Sequence, residues 1–206
     1  MQILRNILAL FSAAMLFALP ALAHAGHAKQ GEKVETRRMS STSDEKAREY
    51  FTDTILLSHT GEEMRYYSDV LRGKTVVISF MFTTCVDACP LINATLQRVQ
   101  ERLTDRIGED IFIVSITVDP SNDTVAELAE YRKKFKARDG WLFMTGTVAN
   151  IDVISQKMGQ VFEKDAHLTA LLVGNTNTAR WRKIPPSLSD AVIAAQILDI
   201  ADGIYD

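Results

Sequence analysis

The chain has 206 residues and a formal net charge of −3, with 47% hydrophobic and 24% charged residues. This composition is typical of a globular protein, and it excludes a disordered chain, a collagen-like repeat and a protein with several membrane spans. The pI near 5.8 gives no support for nucleic-acid binding. The two cysteines are too few for a disulfide-rich scaffold, a four-cysteine zinc site or a four-thiolate iron–sulfur cluster. If they have a function, they act as one pair.

The first residues have the layout of a secretory signal peptide. Arg5 precedes an apolar run from Ile7 to Leu19, and the small-x-small pattern Ala21-Leu22-Ala23 follows. We therefore predict that residues 1–23 are a signal peptide and that the rest of the chain is exported. The alternative is an uncleaved N-terminal anchor over residues 7–23, which are at the short end of the length that spans a bilayer.

The composition of the chain changes at residue 24 and again at residue 50. Residues 24–49 are polar and of mixed charge, with few large apolar side chains, which predicts a flexible tether. Residues 50–206 have the length and composition of one folded domain. An exported domain with a cysteine pair faces an oxidising compartment, so the pair is a disulfide, a metal site or a redox centre kept reduced by a partner.

The hydrophobic pattern of the domain predicts the order β-α-β-α-β-α-β-β-α, preceded by a hairpin near residues 54–67. Two long apolar strands separated by a crossover helix indicate a parallel βαβ unit. We therefore predict an α/β, thioredoxin-like fold, in which helices flank a mixed central sheet with an N-terminal hairpin. The predicted strands are Thr75–Phe82, Ile111–Val118, Trp141–Met144, Leu168–Val173 and Ala179–Ile184, and the predicted helices run from Pro90 to Ile107, from Thr124, over Val148–Gly159 and over Leu188–Ile200.

The two cysteines lie where an α/β sheet places its reactive groups. Cys85 follows the first long strand by a short turn, and Cys89 opens the next helix together with Pro90. A helix N-terminus favours thiolate over thiol. The Cys-x3-Cys spacing places the sulfur atoms about one helical turn apart. At that spacing they suit one soft metal ion, Cu(I) with zinc as its rival, or a disulfide. The pair by itself leaves a metal site, a redox pair and a structural disulfide open.

His167 is the candidate third ligand. It directly precedes the predicted strand Leu168–Val173, and in a thioredoxin-like fold the loop before that strand faces the cysteine turn. Disulfide exchangers of this fold have a cis-proline there, whereas this chain has no proline between Pro120 and Pro185. The histidine therefore favours a metal site over an oxidoreductase.

The sequence predicts less specific roles for three other polar residues. His59 lies in the predicted turn Ser58–Gly61 and is expected to be a plain loop residue. Asp87 and Asp119 are candidates for orienting the loops or for meeting a partner. For Asp87, a role at the N-terminus of the helix that follows is an equally good interpretation.

Together these residues resemble the Sco/SenC family, copper-binding proteins of thioredoxin-like fold that help to assemble the binuclear copper centre of cytochrome c oxidase. The resemblance extends from about Phe51 to the C-terminus. The chain departs from the family at Val86, where proline is usual, and at Asp165, which stands two residues before His167 rather than beside it. The matching segments are Leu71–Lys74, Phe82–Pro90, Val118–Pro120, Asp123–Thr124, Tyr131, Phe135, Thr145–Thr147 and Asp165–His167.

The resemblance implies that Cys85, Cys89 and His167 bind copper as Cu(I) or Cu(II). It implies a periplasmic metallochaperone that delivers copper to the binuclear centre of cytochrome c oxidase or matures that centre. The expected partners are the copper-receiving oxidase subunit or another copper chaperone, and no nucleic acid. The protein would be exported, free in the periplasm or facing it from the inner membrane through residues 7–23.

An enzymatic alternative uses the same two thiols. In that reading the protein is a thiol–disulfide oxidoreductase that reduces the cysteines of the copper-receiving subunit, and His167 is dispensable. A thiol peroxidase is disfavoured, because Phe82 stands where peroxiredoxins have a threonine, three residues before the cysteine. A copper-responsive redox sensor is a further alternative.

Overall fold

The long apolar strands lie at the centre of a mixed sheet in the computed structural model, which describes residues 41–159 and 170–204. Seven strands of these residues pair in the order β2-β1-β5-β4-β3-β6-β7. The central strands β3, β4 and β5 run parallel, and the remaining pairs are antiparallel. The strands are β1 (Ile55–Ser58), β2 (Glu63–Arg65), β3 (Thr75–Met81), β4 (Ile111–Thr117), β5 (Trp141–Thr145), β6 (Leu171–Asn175) and β7 (Arg180–Ile184).

Helices cover both faces of the sheet, because β3 and β4 are apolar on both sides. One face packs against α2, α3 and α5, and the other against α1, the π-helix and α4. The α/β thioredoxin-like prediction, with a mixed sheet and an N-terminal hairpin, is thus confirmed. The helices are α1 (Ser41–Phe51), a π-helix (Tyr66–Leu71), α2 (Ala88–Leu103), a 3-10 turn (Thr104–Arg106), α3 (Val125–Lys134), α4 (Val148–Lys157) and α5 (Asp190–Asp202).

The folded part begins earlier than composition predicts. Residues 41–49, assigned to the tether, form most of helix α1, so for these residues the prediction is wrong. The contacts of Asp44 account for this difference. Asp44 accepts a hydrogen bond from the hydroxyl of Tyr67 at 2.7 Å, and it forms an ion pair with Arg72 at 2.8 Å. These contacts hold a polar helix against the domain. The predicted signal peptide and the rest of the tether lie outside the described residues.

Helix α2 is shorter at its C-terminus than the apolar spacing predicts. Its stripe of Ile92, Leu96, Val99 and Leu103 is buried. The helix then ends at Leu103 because Thr104 takes a positive φ of 42°. The predicted helix end near residue 107 is therefore wrong, and Ile107 instead forms a single bridge to Ile111.

The turn between β6 and β7 lies two residues later than predicted. Gly174 and Asn175 belong to β6 rather than to the turn. A side chain at Gly174 would collide with the indole of Trp181, which occupies the space over the glycine. The Asn175 side chain accepts the N–H of Asn177 at 2.9 Å, which forms the turn.

No helix within residues 41–159 and 170–204 is long and apolar enough to cross a membrane. The predicted anchor over residues 7–23 lies outside these ranges.

Candidate metal centre

Both cysteines lie in the segment that joins β3 to α2, at the carboxyl edge of the parallel strands. β3 ends at Met81, Cys85 follows in the loop, and Cys89 is in the first turn of α2. The N–H of Val118, just after β4, donates to the carbonyl of Met81 at 2.9 Å. The loops after β3 and β4 therefore leave the sheet side by side, as predicted for reactive groups in an α/β fold.

The thiols of Cys85 and Cys89 are neighbours. Both residues are 8% exposed, and both cysteines are free. The N–H of Cys89 donates to Cys85 Sγ at 3.4 Å, and the two thiols hydrogen-bond to each other. The loop is held by the N–H of Cys85, which donates to the carbonyl of Phe82 at 3.2 Å. The Cys-x3-Cys spacing thus brings two soft sulfur ligands together at a helix N-terminus.

The surroundings of the pair shift the pKa values of the two thiols in opposite directions. Burial raises the pKa of Cys85, but the hydrogen bond with Cys89 and the N–H groups of Cys89, Asp87 and Ala88 outweigh it and lower this pKa overall. Burial, followed by the hydrogen bond with Cys85, raises the pKa of Cys89 to about 12. Cys85 is therefore the more acidic of the two thiols. A soft cation suits the site, because it takes the place of thiol protons and neutralises the charge of the thiolates.

Asp123, which the sequence reasoning did not single out, holds the cysteine loop. Its side chain is completely buried. Its carboxylate accepts the N–H of Thr83 at 3.0 Å and the hydroxyl of Thr83 at 2.5 Å. It also accepts the hydroxyl of Thr117, the last residue of β4, at 2.5 Å. The carboxylate therefore ties the loop after β3 to the strand and loop beside it. In the sequence, the Asp123-Thr124 motif was the signal that could have identified this residue.

Asn93 and Tyr131 form a second polar pair close to the thiols. The Asn93 amide donates to the Tyr131 hydroxyl at 3.2 Å, and Asn93 Oδ1 has no partner among the described residues. Burial raises the pKa of Tyr131 to about 12, and the charges of Cys89 and Cys85 add to this. The hydroxyl therefore stays protonated beside the cysteines.

The other predicted site residues are placed as follows. His167 lies outside the described residues. His59 is in the β1–β2 turn, where its Nδ1 accepts the N–H of Phe143 at 3.4 Å, so the loop interpretation is confirmed. Asp87 immediately precedes α2 without a side-chain capping bond. Asp119 accepts the amide of Asn122 at 2.8 Å within its own turn.

No cluster of three or more His, Cys, Asp or Glu suited to a metal ion occurs in the described ranges. Of the predicted ligands, the structure brings together Cys85 and Cys89. Two apolar side chains beside them are open to solvent, Val86 at 87% exposure and Leu91 at 72%. The pair itself is buried, whereas Val86 and Leu91, its neighbours in the sequence, form an exposed apolar rim.

Solved structures similar to this chain include Sco proteins. Yeast Sco1 with copper bound matches with a TM-score of 0.61 and 22% identity over 74% of this chain and 92% of that one. Bradyrhizobium japonicum ScoI with copper bound matches with a TM-score of 0.61 and 21% identity over 71% and 96%. At this identity the likeness establishes the fold.

Curated relatives are similar over part of their length. A SCO2-like protein of Rickettsia conorii is 34% identical over 115 residues, 56% of this chain and 53% of the relative. The mitochondrial SCO2 homologue of Bos taurus is 37% identical over 105 residues, 50% of this chain and 38% of the relative. The chain spans about half the length of the first curated relatives that it matches. The SCO1/SenC family model matches residues 42–201, most of the chain, which therefore belongs to the SCO1/SenC family.

Proposed function

We propose that this protein binds copper through Cys85, Cys89 and His167 and serves the assembly of cytochrome c oxidase, delivering copper to the binuclear centre or maturing it. Membership of the SCO1/SenC family supports the assignment. So do the similar structures described as Sco proteins with copper bound, and one described as a member of the Sco family of cytochrome c oxidase assembly proteins.

The observation that carries the proposal is the recessed pair of free thiols at the N-terminus of α2. Each is 8% exposed, and thiolates are ligands that Cu(I) prefers over hard oxygen donors. Peptide N–H groups face Cys85 Sγ, so the protein itself offsets part of the negative charge that two thiolates bring to one monovalent ion. An imidazole from His167 would complete a three-ligand set and leave room for exchange with a partner.

The exposed rim at Val86 and Leu91 gives the receiving protein a place to dock. The two residues lie one and two positions after the cysteines in the sequence, and their side chains are 87% and 72% exposed. Apolar side chains at the centre of an interface contribute to affinity by excluding water. We infer that the copper-receiving oxidase subunit, or another copper chaperone, contacts this rim during transfer.

The proposed setting is the periplasm. A signal peptide over residues 1–23, or an anchor over residues 7–23, would bring the domain there. Signal-peptide cleavage is tested by N-terminal sequencing of protein isolated from the native cell. A native N-terminus at residue 24 supports cleavage, and an intact Met1 supports the anchor.

The ligand set is tested by titrating the reduced, metal-free protein with Cu(I) under anaerobic conditions against a competing chelator. We expect one copper per chain. Loss of an outer hydrogen bond around a metal costs about 10–100-fold in affinity, so Cys85→Ser, Cys89→Ser and His167→Ala should each cost at least as much. His59→Ala is the matched control, because the His59 ring accepts a bond from Phe143. Wild-type affinity in His167→Ala would remove that residue from the ligand set.

A second function is supported by the proximity of the two free thiols. In it, the Cys85 thiolate attacks a disulfide of the copper-receiving subunit. Cys89 then attacks the Cys85 sulfur of the mixed disulfide and displaces the partner's second thiolate. Two electrons thus pass to the partner, which leaves as a dithiol, and a Cys85–Cys89 disulfide remains. A similar structure, of BsSco, is described by its disulfide switch.

The two functions separate in a copper-free assay. The reduced protein is mixed with a disulfide-containing peptide, and the released thiols are counted. The oxidoreductase is supported if wild type and His167→Ala release two thiols per chain, and Cys89→Ser releases one and stays in a mixed disulfide with the peptide. A protein that binds copper in the titration above but releases no thiol in this assay supports delivery alone.

A further inference from the structure

A groove of ≈ 730 Å³ lies on the face of the sheet opposite to the cysteine pair. Its volume is within the range of pockets that hold small organic molecules. Phe51, Met158 and Leu172 form its buried floor, and Trp181, half-buried on β7, forms a wall. The groove is thus an apolar recess between α1, the end of α4 and the edge of the sheet.

The aromatic wall is held in place by the fold. The indole of Trp181 lies 5.1 Å from the ring of Phe51, centroid to centroid, and Tyr50 meets Phe51 edge-on at 4.8 Å. The absence of a side chain at Gly174 makes room for the indole. A recess whose walls are already packed loses little conformational entropy when a ligand binds.

The rim of the groove is cationic. Lys46, Lys157, Arg182 and Lys183 line it, and none of the described lining residues is acidic. The chain as a whole has a net charge of −3, so this concentration of positive charge is local. None of the four cations forms an ion pair with a described carboxylate.

Protection of the sheet edge against pairing with other chains would explain only two of these four cations. β7 is at the edge of the sheet, where lysine and arginine discourage pairing with other chains. That accounts for Arg182 and Lys183. Lys46 is on α1 and Lys157 is the last residue of α4, so sheet protection does not require either of them.

We propose that this groove binds a small amphipathic anion, a carboxylate or sulfonate attached to an apolar ring or short acyl chain. The apolar part lies against Phe51 and Trp181. The anionic group lies near Lys157 and Lys183, where cations from different elements converge. The site is separate from the cysteine pair, so this binding does not depend on copper.

The test follows the indole N–H signals of the ¹⁵N-labelled full chain by NMR. The sequence has two tryptophans. The indole of Trp141 is fully buried and donates to Ser115, so it serves as an internal control for the signal of Trp181. The ligands are 1-naphthoate, neutral 1-naphthalenemethanol and cationic 1-naphthylmethylamine, which share one ring system and differ in charge.

We expect 1-naphthoate to shift the Trp181 signal saturably and to leave that of Trp141 in place. The neutral compound should bind at least about tenfold more weakly, since it lacks the charge-assisted contact. The double variant Lys157→Glu with Lys183→Glu should weaken naphthoate binding by about tenfold or more. The matched control, Lys133→Glu with Lys134→Glu on α3, makes the same change in net charge and should bind as wild type.

Three results would overturn the proposal. The first is no saturable shift of Trp181 at millimolar naphthoate. The second is equal affinity for the neutral compound, which would make the groove a plain apolar site. The third is equal binding in the two double variants, which would reduce the effect to overall charge.

Discussion

The backbone N–H and the hydroxyl of Thr83 both donate to the carboxylate of Asp123, at 3.0 Å and 2.5 Å. Thr83 is two residues before Cys85. Asp123 lies 40 residues after Thr83 in the sequence, just before α3. A buried carboxylate thus fixes the start of the cysteine loop. It does so from the neighbouring loop, so the position of the thiols depends on how β3 and β4 pair.

Removal of the Asp123 carboxylate should loosen the cysteine loop. Asp123→Ala leaves the N–H and hydroxyl of Thr83 and the hydroxyl of Thr117 without their acceptor. We expect a loss of about 3 kcal/mol in the free energy of unfolding, measured by urea denaturation, since each unsatisfied buried group costs about 1–3 kcal/mol. Copper affinity should fall as well, because the ligand loop is no longer held.

Asp119→Ala is the control for that variant. Asp119 lies on the same loop, but its carboxylate accepts from Asn122 at an exposed site. It should cost less than about 1 kcal/mol. If the two variants lose the same stability, Asp123 is not the support of the loop.

The exposed rim of the site should govern transfer rather than binding of copper. The double variant Val86→Asp with Leu91→Asp keeps both thiols but replaces the apolar rim with charge. We expect copper affinity within about twofold of wild type and a transfer rate to the oxidase subunit lowered about tenfold. Chelator competition measures the affinity, and absorbance of the loaded subunit measures transfer.

Val148→Asp is the matched control for the rim. Val148 is a similarly exposed apolar residue, at 54%, on the first turn of α4. Its substitution should leave both affinity and transfer unchanged. Wild-type transfer in the rim variant would show that the partner docks elsewhere.

Gly174→Ala should destabilise the fold by overpacking. The new Cβ would collide with the ring of Trp181, and forced repacking of this kind costs about 1–3 kcal/mol. Thermal unfolding followed by circular dichroism measures the loss. Gly146→Ala is the control. Its Cβ would approach no atom more closely than Leu56 Cδ2, at 3.1 Å, so it should cost less.

A second substitution tests the cause of that loss. Combined with Trp181→Val, which removes the indole, Gly174→Ala should be nearly neutral relative to Trp181→Val alone. An undiminished penalty in that background would mean that backbone conformation, not the indole, requires glycine here.

The Arg65–Asp69 pair should make stability depend on pH in the acid range. The side-chain hydrogen bond from Arg65, followed by its backbone N–H, lowers the pKa of Asp69 to about 2. A carboxyl group whose pKa is lowered by folding stabilises the protein fully at pH values above its ordinary pKa near 4. This stabilisation is lost as the pH falls through the folded-state pKa of about 2. Asp69→Asn should therefore be less stable than wild type at pH 6, and the difference should shrink below pH 4.

Urea denaturation of both proteins between pH 2 and pH 6 measures this difference. It should approach zero at about pH 2, where Asp69 in the wild type becomes protonated. A difference that stays constant over the whole range would mean that the carboxylate charge contributes nothing.

Much of the fold could be predicted because its signals are local. The apolar runs that became β3 and β4, and the spacing of Ile92, Leu96, Val99 and Leu103 on α2, each specify an element by periodicity within a few residues. The predictions that were wrong concern boundaries. Helix α1 is polar and is stabilised by distant contacts of Asp44. Gly174 is held in β6, beneath an indole that lies seven residues ahead.

The sequence by itself determined which residues are available for chemistry. With two cysteines at Cys-x3-Cys spacing before a proline, the candidate pair and its place at a strand-to-helix turn followed from the chain. Only the tertiary structure decided how that pair is held and tuned. Asp123 supports the loop, and burial together with the hydrogen bond from Cys85 raises the pKa of Cys89. The groove with its four cations likewise joins α1, α4 and β7. These features depend on contacts between distant segments, which no local pattern encodes.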